Sequence, residues 1–196
     1  MVTLLLVRHA TTIANEEGLW IGHMESEISS KGKAELKKLK KRLSYWQIEK
    51  CFVSPSQRTL DTVSATVDSF IPIEQVEELR EIDFGRFEGK SFKWAKEHVP
   101  EEIQKMIEEG DDYFYPEGES LKTAHQRMKV WLTGWLGSKP EGTYMICAHG
   151  GTIRSILSEL VVHDERLHWH FKVDPASLSI VTLEEGFATI DALNQR

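Results

Sequence analysis

The stretch Leu4-Leu5-Leu6-Val7-Arg8-His9 decides the fold of this 196-residue chain. Its four apolar residues predict a short β-strand buried on both faces, as in a parallel sheet that is covered by helices. The strand ends at Arg8 and His9, and open α/β sheets bind their ligands at the carboxyl ends of their strands. A solvated strand end could carry the same two side chains, so this pair alone does not establish a site.

Two more strand-like runs lead to side chains of the same types. The run from Lys50 to Val53 precedes Arg58, and the run from Tyr144 to Cys147 precedes His149. If the strands are parallel, three strand ends deliver two arginines and two histidines to one edge of the sheet. We therefore expect a binding site for a doubly negative group at that edge.

Helical patterns alternate with the strands and begin near Ser30, Pro55, Leu121 and Thr152. Ser54 is predicted to be the N-cap of the second helix, which then runs to about residue 70. A hairpin near the end of the chain is expected to close the sheet. This alternation predicts a three-layer α/β/α sandwich with a mostly parallel central sheet.

The stretch between residues 90 and 120 is the most aromatic and acidic part of the chain. No internal repeat, linker or low-complexity segment divides the sequence, and its length is sufficient for one substantial core. We therefore expect a single domain over residues 1–196, with residues 90–120 as a cap-like insertion over the carboxyl edge of the sheet. A plain crossover between strands is the alternative interpretation of that stretch.

The net charge of −7 argues against nucleic acid as a partner, since binding to a phosphate backbone requires a basic face. No apolar run is long enough to cross a membrane, and no signal peptide is recognisable. Cys51 and Cys147 lie in apolar runs, where we interpret them as reduced core thiols of a cytoplasmic protein. His163, His168 and His170 have no supporting carboxylate or thiol cluster, so we interpret them as surface or packing residues and predict no metal.

A phosphomonoester is a doubly negative group that suits this set of side chains, because it carries close to two negative charges at pH 7. Arg8 and Arg58 can hold it with forked, charge-assisted hydrogen bonds. No serine at a strand end is paired with a base, and both cysteines lie inside their strands. A neutral histidine is therefore the predicted nucleophile.

The leaving oxygen of such an ester also needs a proton donor. Glu81, on the loop before Phe84 and Gly85, is the best-placed carboxylate. Asp83 and Glu88 are the alternatives. Nothing in the sequence requires a metal or another cofactor.

Four motifs in chain order resemble the histidine phosphatase superfamily, in its phosphoglycerate mutase-like branch. The Arg-His-Gly-Glu-Thr-x-x-Asn motif of that family corresponds to Arg8–Asn15, with Ala10 and Thr11 in place of its Gly-Glu pair. The other three motifs correspond to Ser54–Thr59, Leu79–Gly89 and His149–Arg154. The resemblance runs from residue 4 to about residue 154.

The resemblance implies a role for each matching residue. His9 becomes phosphorylated, and Glu81 acts as acid and base. The implied ligands of the phosphoryl group and substrate are Arg8, Asn15, Arg58, His149 and Gly150. Because Ala10 and Thr11 depart from the family pattern beside the nucleophile, we expect altered recognition of the leaving group with activity retained.

The implied activity is hydrolysis of a small-molecule phosphomonoester, by a monomer or a homodimer. The acidic, aromatic stretch of residues 90–120 disfavours a second anionic group and suits a larger, flatter leaving group. Short length and the runs Pro116–Ser120 and Ala192–Asn194 resemble α-ribazole phosphatases of cobalamin synthesis. Broad-specificity phosphatases and cofactor-dependent phosphoglycerate mutases are the alternatives, and a non-catalytic phosphate-binding module is a third class.

Overall fold

A six-stranded sheet forms the middle layer of the computed structural model, which describes residues 1–196. Its strands are β1 (Val2–Arg8), β2 (Lys50–Val53), β3 (Ile73–Gln75), β4 (Gly142–Ala148), β5 (Leu178–Glu184) and β6 (Phe187–Gln195). They lie in the order β3-β2-β4-β1-β5-β6. The first four of that order are parallel, and the β5–β6 hairpin is antiparallel. The predictions of a mostly parallel sheet and of a closing hairpin are confirmed.

Seven α-helices cover the sheet and its carboxyl edge. They are α1 (Ile13–Glu16), α2 (Ser30–Leu43), α3 (Gln57–Thr66), α4 (Phe92–His98), α5 (Pro100–Glu109), α6 (Leu121–Gly137) and α7 (Gly150–Val162). Four 3-10 turns occupy Glu77–Leu79, Gly85–Phe87, Gly110–Asp112 and His168–His170. None of the helices is long and apolar enough to cross a bilayer.

The apolar run of β1 explains the three layers. Leu4 and Leu6 pack in a core that includes residues of α6 and α7, whereas Leu5 and Val7 pack in a second core with residues of α2 and α3. Successive side chains of a strand point to opposite faces of the sheet, so an uninterrupted apolar strand needs helices on both sides. The predicted α/β/α sandwich is confirmed.

The register of the parallel strands aligns the three strand ends. Arg8 lies opposite Ala148, and the backbone N–H of His9 donates to the Ala148 carbonyl at 3.0 Å. On the other side of β4, the N–H of Ser54 donates to the Cys147 carbonyl at 3.0 Å. The residues after β1, β2 and β4 therefore meet at one edge, as predicted.

The start and end of α3 differ from the prediction. The helix begins at Gln57, with Ser56 in the N-cap position, and it ends at Thr66 and not near residue 70. Ser54 is not a cap, because its N–H extends the sheet and its hydroxyl lies 2.7 Å from Nε2 of His149. Arg58 still falls in the first turn of the helix.

Residues 90–120 form the short helices α4 and α5 and a 3-10 turn, and Pro100 is the first residue of α5. Phe87, Ala95 and Ile103 make a small core there, separate from the two cores of the sheet. The description of residues 1–196 as one domain, with this stretch as its cap, stays a prediction.

Candidate active site

Two histidines and an arginine form a buried cluster at the carboxyl edge of the sheet. His9, Arg58 and His149 are each at most 3% exposed, and the two imidazole rings lie 5.3 Å apart between centroids. Arg8 follows the same strand as His9, and its guanidinium lies against Gly150. A Cβ atom at position 150 would be 3.2 Å from Cζ of Arg8, so the small residue permits this close approach.

Arg8 and Arg58 each use only some of their N–H groups in hydrogen bonds to the protein. Nη1 of Arg8 donates to the Val173 carbonyl at 2.7 Å. Nη1 and Nη2 of Arg58 donate to the carbonyls of Met24 and Gly22, at 3.0 and 2.6 Å. The buried Nε atoms of both arginines have no protein partner. Because buried polar atoms are almost always paired, these N–H groups are suited to the oxygens of an anion.

His149 presents a proton in the same cluster. Its Nε2 lies 2.7 Å from the Ser54 hydroxyl, which is fully buried and contacts no other acceptor. With the hydroxyl as the donor to Nε2, the hydrogen of the neutral ring is on Nδ1. That Nδ1 is buried and unpaired. Burial, reinforced by Arg58, holds the pKa of His149 well below its usual value.

His9 has the opposite arrangement of protons. Its Nδ1 lies 2.8 Å from the Ala10 carbonyl, which can only accept, so Nδ1 carries the hydrogen and Nε2 carries the lone pair. Burial lowers the pKa of His9 well below its usual value, and the charges of Arg8 and Arg58 lower it further. The ring is therefore neutral across the physiological range.

The carboxylate of Glu81 lies at the amino end of helix α7. It accepts hydrogen bonds from the backbone N–H groups of Gly151 and Thr152, at 2.8 and 3.2 Å. Helix N-termini attract negative groups through their free N–H groups and the helix dipole. A Cβ at Gly151 would lie 2.4 Å from Oε1 of Glu81, so this glycine makes room for the carboxylate.

The two alternative carboxylates organise loops. Oδ1 of Asp83 accepts from the N–H of Gly85 at 2.9 Å. Glu88 accepts from the backbone N–H groups of Gly22, His23, Met24 and Phe84. Neither carboxylate lines the cavity beside Arg8. Glu88 instead supports the loop whose carbonyls bind Arg58.

Asn15 lies in the short helix α1 and lines the cavity. Its Oδ1 accepts from the N–H of Thr12 at 3.1 Å, in a reciprocal capping box. Ala10 and Thr11, which depart from the family motif, do not line the cavity. The Thr11 hydroxyl donates to Glu35 at 2.7 Å, and the N–H of Ala10 donates to Thr62. No contact with the cavity supports the expectation that they alter recognition of the leaving group.

A cavity of about 520 Å³ adjoins the buried cluster. Of the predicted residues, Arg8, Asn15, Glu81 and Gly150 line it, whereas His9, Arg58 and His149 lie in the cluster behind. Aromatic side chains form much of the remaining wall, among them Trp20, Phe84, Phe92, Tyr113 and Tyr115. A second cavity, of about 610 Å³, lies near the amino end of β1 and contains none of the predicted residues.

Three polar residues of the cavity wall were not predicted as site residues. They are Asp111, Arg154 and His168. A signal for Arg154 was present, because it lies four residues after Gly150 on α7 and so shares a helix face with it. His168 was interpreted as a surface or packing residue, and no pattern in the sequence places its loop against the cavity.

The cysteines are unsuited to nucleophilic chemistry. Cys51 and Cys147 are free and buried, and burial raises the pKa of Cys51 to about 12. The pKa of Cys147 is also raised by burial. No group of three or more His, Cys, Asp or Glu side chains is arranged to hold a metal ion. That the activity needs no metal and no cofactor stays a prediction.

Sheet and cluster together are those of an α/β protein built to hold an anionic group at its carboxyl edge. Residues 4–196 match the family model of the histidine phosphatase superfamily (branch 1), and the chain belongs to that family. The resemblance inferred from the four motifs is confirmed, as is the predicted enzyme class of a phosphatase.

Two relatives and one solved structure are similar to the chain over nearly its whole length. It is 29% identical to phosphoserine phosphatase 1 of Hydrogenobacter thermophilus, over 99% of this chain and 92% of the relative. It is 23% identical to an adenosylcobalamin/alpha-ribazole phosphatase of Escherichia coli, over 98% and 96% of the two chains. The alpha-ribazole phosphatase structure from Shigella flexneri superposes with a TM-score of 0.92 at 23% identity, covering 98% and 96% of the chains.

Proposed function

We propose that this member of the histidine phosphatase superfamily hydrolyses small phosphomonoesters through a phosphohistidine at His9. The observation that carries the proposal is the 2.8 Å contact between Nδ1 of His9 and the Ala10 carbonyl. It orients the lone pair of Nε2 away from the backbone of its own loop. With a strongly lowered pKa, that lone pair is available at neutral pH.

In the first step Nε2 of His9 attacks phosphorus and the bond to the leaving oxygen breaks. Glu81 gives its proton to that oxygen, so the product leaves as an alcohol. Arg8, Arg58 and His149 hold the phosphoryl oxygens. Donors that are already in place stabilise the transition state without reorganisation, and the unpaired Nε and Nδ1 atoms supply such donors.

In the second step a water molecule attacks the phosphohistidine. Glu81, now ionised, takes a proton from that water, and the bond between phosphorus and Nε2 breaks. Inorganic phosphate leaves, and both His9 and Glu81 return to their starting states. Asn15 and Gly150 belong to the substrate-binding set, Asn15 at the cavity wall and Gly150 by admitting the Arg8 guanidinium.

The aromatic side chains of the cavity wall favour substrates whose leaving group has a flat, apolar part. α-Ribazole 5′-phosphate is one candidate substrate, since a benzimidazole ring could stack there. A phosphorylated amino acid is a second candidate, favoured by the positive charge of Arg154 on the same wall. The net charge of −7 supports a small-molecule substrate over nucleic acid. The two free buried cysteines support a reducing, cytoplasmic location.

A substrate panel with and without EDTA tests the proposal. We expect the wild type to release phosphate from α-ribazole phosphate, phosphoserine and p-nitrophenyl phosphate in the presence of chelator, and His9→Ala to lose nearly all turnover. Activity that chelator abolishes and Mg²⁺ restores would contradict the metal-free mechanism. Tight phosphate binding without hydrolysis would identify a binding module, and interconversion of 2- and 3-phosphoglycerate would identify a mutase.

A further inference from the structure

We propose that Arg154, His168 and Asp111 form a subsite for the leaving group that binds the carboxylate and ammonium of a phosphorylated amino acid. All three residues line the cavity that Arg8 and Glu81 also line. The inference rests on the proposed phosphatase activity and concerns only which alcohol leaves. It assigns to these three residues the choice between substrates.

Arg154 presents an oriented guanidinium to the cavity. Its Nε donates to the Phe171 carbonyl at 3.1 Å, and its Cζ lies 5.6 Å from the centre of the Trp169 ring. These two contacts fix the plane of the group, and its Nη1 and Nη2 make no other hydrogen bond or ion pair with the protein. Two parallel N–H groups of a fixed guanidinium match the two oxygens of a carboxylate.

His168 supplies a second donor. Its side chain is 1% exposed, and its Nδ1 lies 3.1 Å from the Ser155 hydroxyl. With this hydroxyl as the donor to Nδ1, the hydrogen of the neutral ring is on Nε2. This Nε2 is buried and unpaired. Burial, with a smaller effect of Arg154, lowers the pKa of His168 to about 3, so the ring donates as a neutral group.

Asp111 adds a negative charge beside the same indole ring. Its Oδ1 accepts from Nε1 of Trp169 at 2.9 Å, and no lysine, arginine or histidine pairs with it. Trp169 therefore contacts a cation over its ring face and an anion at its Nε1 edge. A leaving group with only a carboxylate would be repelled by Asp111, and a neutral one would leave both charges unpaired. A zwitterion satisfies both.

Three substrates that differ by one group each test the subsite. Phosphoethanolamine is phosphoserine without the carboxylate, and 3-phosphoglycerate has a hydroxyl in place of the ammonium. We expect the wild type to prefer phosphoserine to both by about 10- to 100-fold in kcat/KM, the range for hydrogen bonds to charged groups. The preference should lie mainly in KM, since the subsite does not touch the reacting atoms.

Each variant should remove one preference. In Arg154→Gln, kcat/KM for phosphoserine should no longer exceed that for phosphoethanolamine. In Asp111→Asn, it should no longer exceed that for 3-phosphoglycerate. His168→Phe should raise KM for phosphoserine. His168→Gln keeps an N–H donor, so it should raise that KM less. Arg42→Gln, on helix α2 at the other face of the sheet, is the matched control and should leave every ratio unchanged.

Two outcomes would overturn the subsite. One is that Arg154→Gln lowers kcat/KM for phosphoserine and for phosphoethanolamine by the same factor. The other is a wild type that prefers α-ribazole phosphate and whose ratios do not respond to any of the three positions. Failure of the proposed function looks different, because then p-nitrophenyl phosphate would not be hydrolysed either, or His9→Ala would retain turnover.

Discussion

The carboxylate of Glu81 accepts a 2.8 Å hydrogen bond from the backbone N–H of Gly151, the second residue of helix α7. His149 immediately precedes that helix. One helix start therefore joins the proposed acid to a proposed phosphate ligand, although the two residues are distant in the sequence.

Glu81→Gln should affect substrates according to how poorly their alcohol leaves. An alkoxide needs its proton in the transition state, where general acid catalysis contributes about 10²–10⁴-fold, and a nitrophenolate needs little help. Glu81 is also the proposed base of the second step, which all substrates share, so the first step must be measured by itself. In pre-steady-state experiments, we expect phosphorylation of His9 by alkyl phosphates to slow far more than phosphorylation by p-nitrophenyl phosphate. Asp83→Asn is the control, and a variant pair in which Asp83→Asn abolishes alkyl turnover while Glu81→Gln retains it would refute the assignment.

Gly151→Ala should reproduce the Glu81 defect without removing the carboxylate. The added Cβ would lie 2.4 Å from Oε1 of Glu81, and the flexible side chain must move away. We expect a selective loss on alkyl phosphates in a protein that keeps its cooperative unfolding. Gly134→Ala on α6 is the matched control, since nothing lies within 4 Å of its added Cβ. A Gly151→Ala enzyme with wild-type alkyl turnover would show that the position of this carboxylate is unimportant.

Arg58→Gln should damage aryl and alkyl phosphates equally, because the guanidinium acts on the phosphoryl group that all substrates share. Removal of one preorganised donor of this kind typically costs about 10²–10³-fold in kcat. Steady-state kinetics on both substrate types measures the effect. Arg86→Gln removes an exposed arginine as the control. A loss confined to one substrate type would place Arg58 at the leaving group.

Three buried histidines, His9, His149 and His168, should make the fold sensitive to mild acid. Each has a lowered folded pKa, about 3 for His168, against about 6.5 in the unfolded chain. Below pH 6.5 the unfolded state binds a proton that the folded state does not, so stability falls as pH falls. Each of these three histidines should remove roughly 1 kcal/mol of stability between pH 7.5 and 5.5, and the three together a few kcal/mol.

Urea unfolding at these two pH values measures that difference. His168→Gln should reduce it by one histidine's share, whereas Arg42→Gln on α2, which removes no group that titrates in this range, should not change it. Stability that rises on acidification, or a difference that His168→Gln leaves intact, would contradict the lowered pKa values.

The sequence predicted what depends on local patterns. The apolar run of Leu4 to Val7 required helices on both faces of a sheet, and the strand ends then had to share one edge. Arg8, His9, Arg58 and His149 were found in this way, because each follows a strand or lies in the first turn after one. The same reasoning misplaced the start of α3, since Ser54 is a typical N-cap residue whose hydroxyl contacts His149 across the sheet edge.

The part of the cavity wall proposed to contact the leaving group could not be predicted from local patterns. Residues 90–120 were judged by their own composition, which is acidic and aromatic, and this disfavoured a second anionic group. Arg154 and His168 reach the same cavity from α7 and from the turn that follows it. Which loop contacts which wall depends on tertiary packing, and residue spacing does not encode it.

We expect His9 to carry the phosphoryl group during turnover. Rapid mixing with ³²P-labelled p-nitrophenyl phosphate, whose alcohol leaves readily, followed by alkaline quenching and peptide mapping, should find label on His9 within one turnover. His9→Ala should give no labelled protein and no turnover. Label on another residue, or phosphate release by His9→Ala at the wild-type rate, would contradict the account.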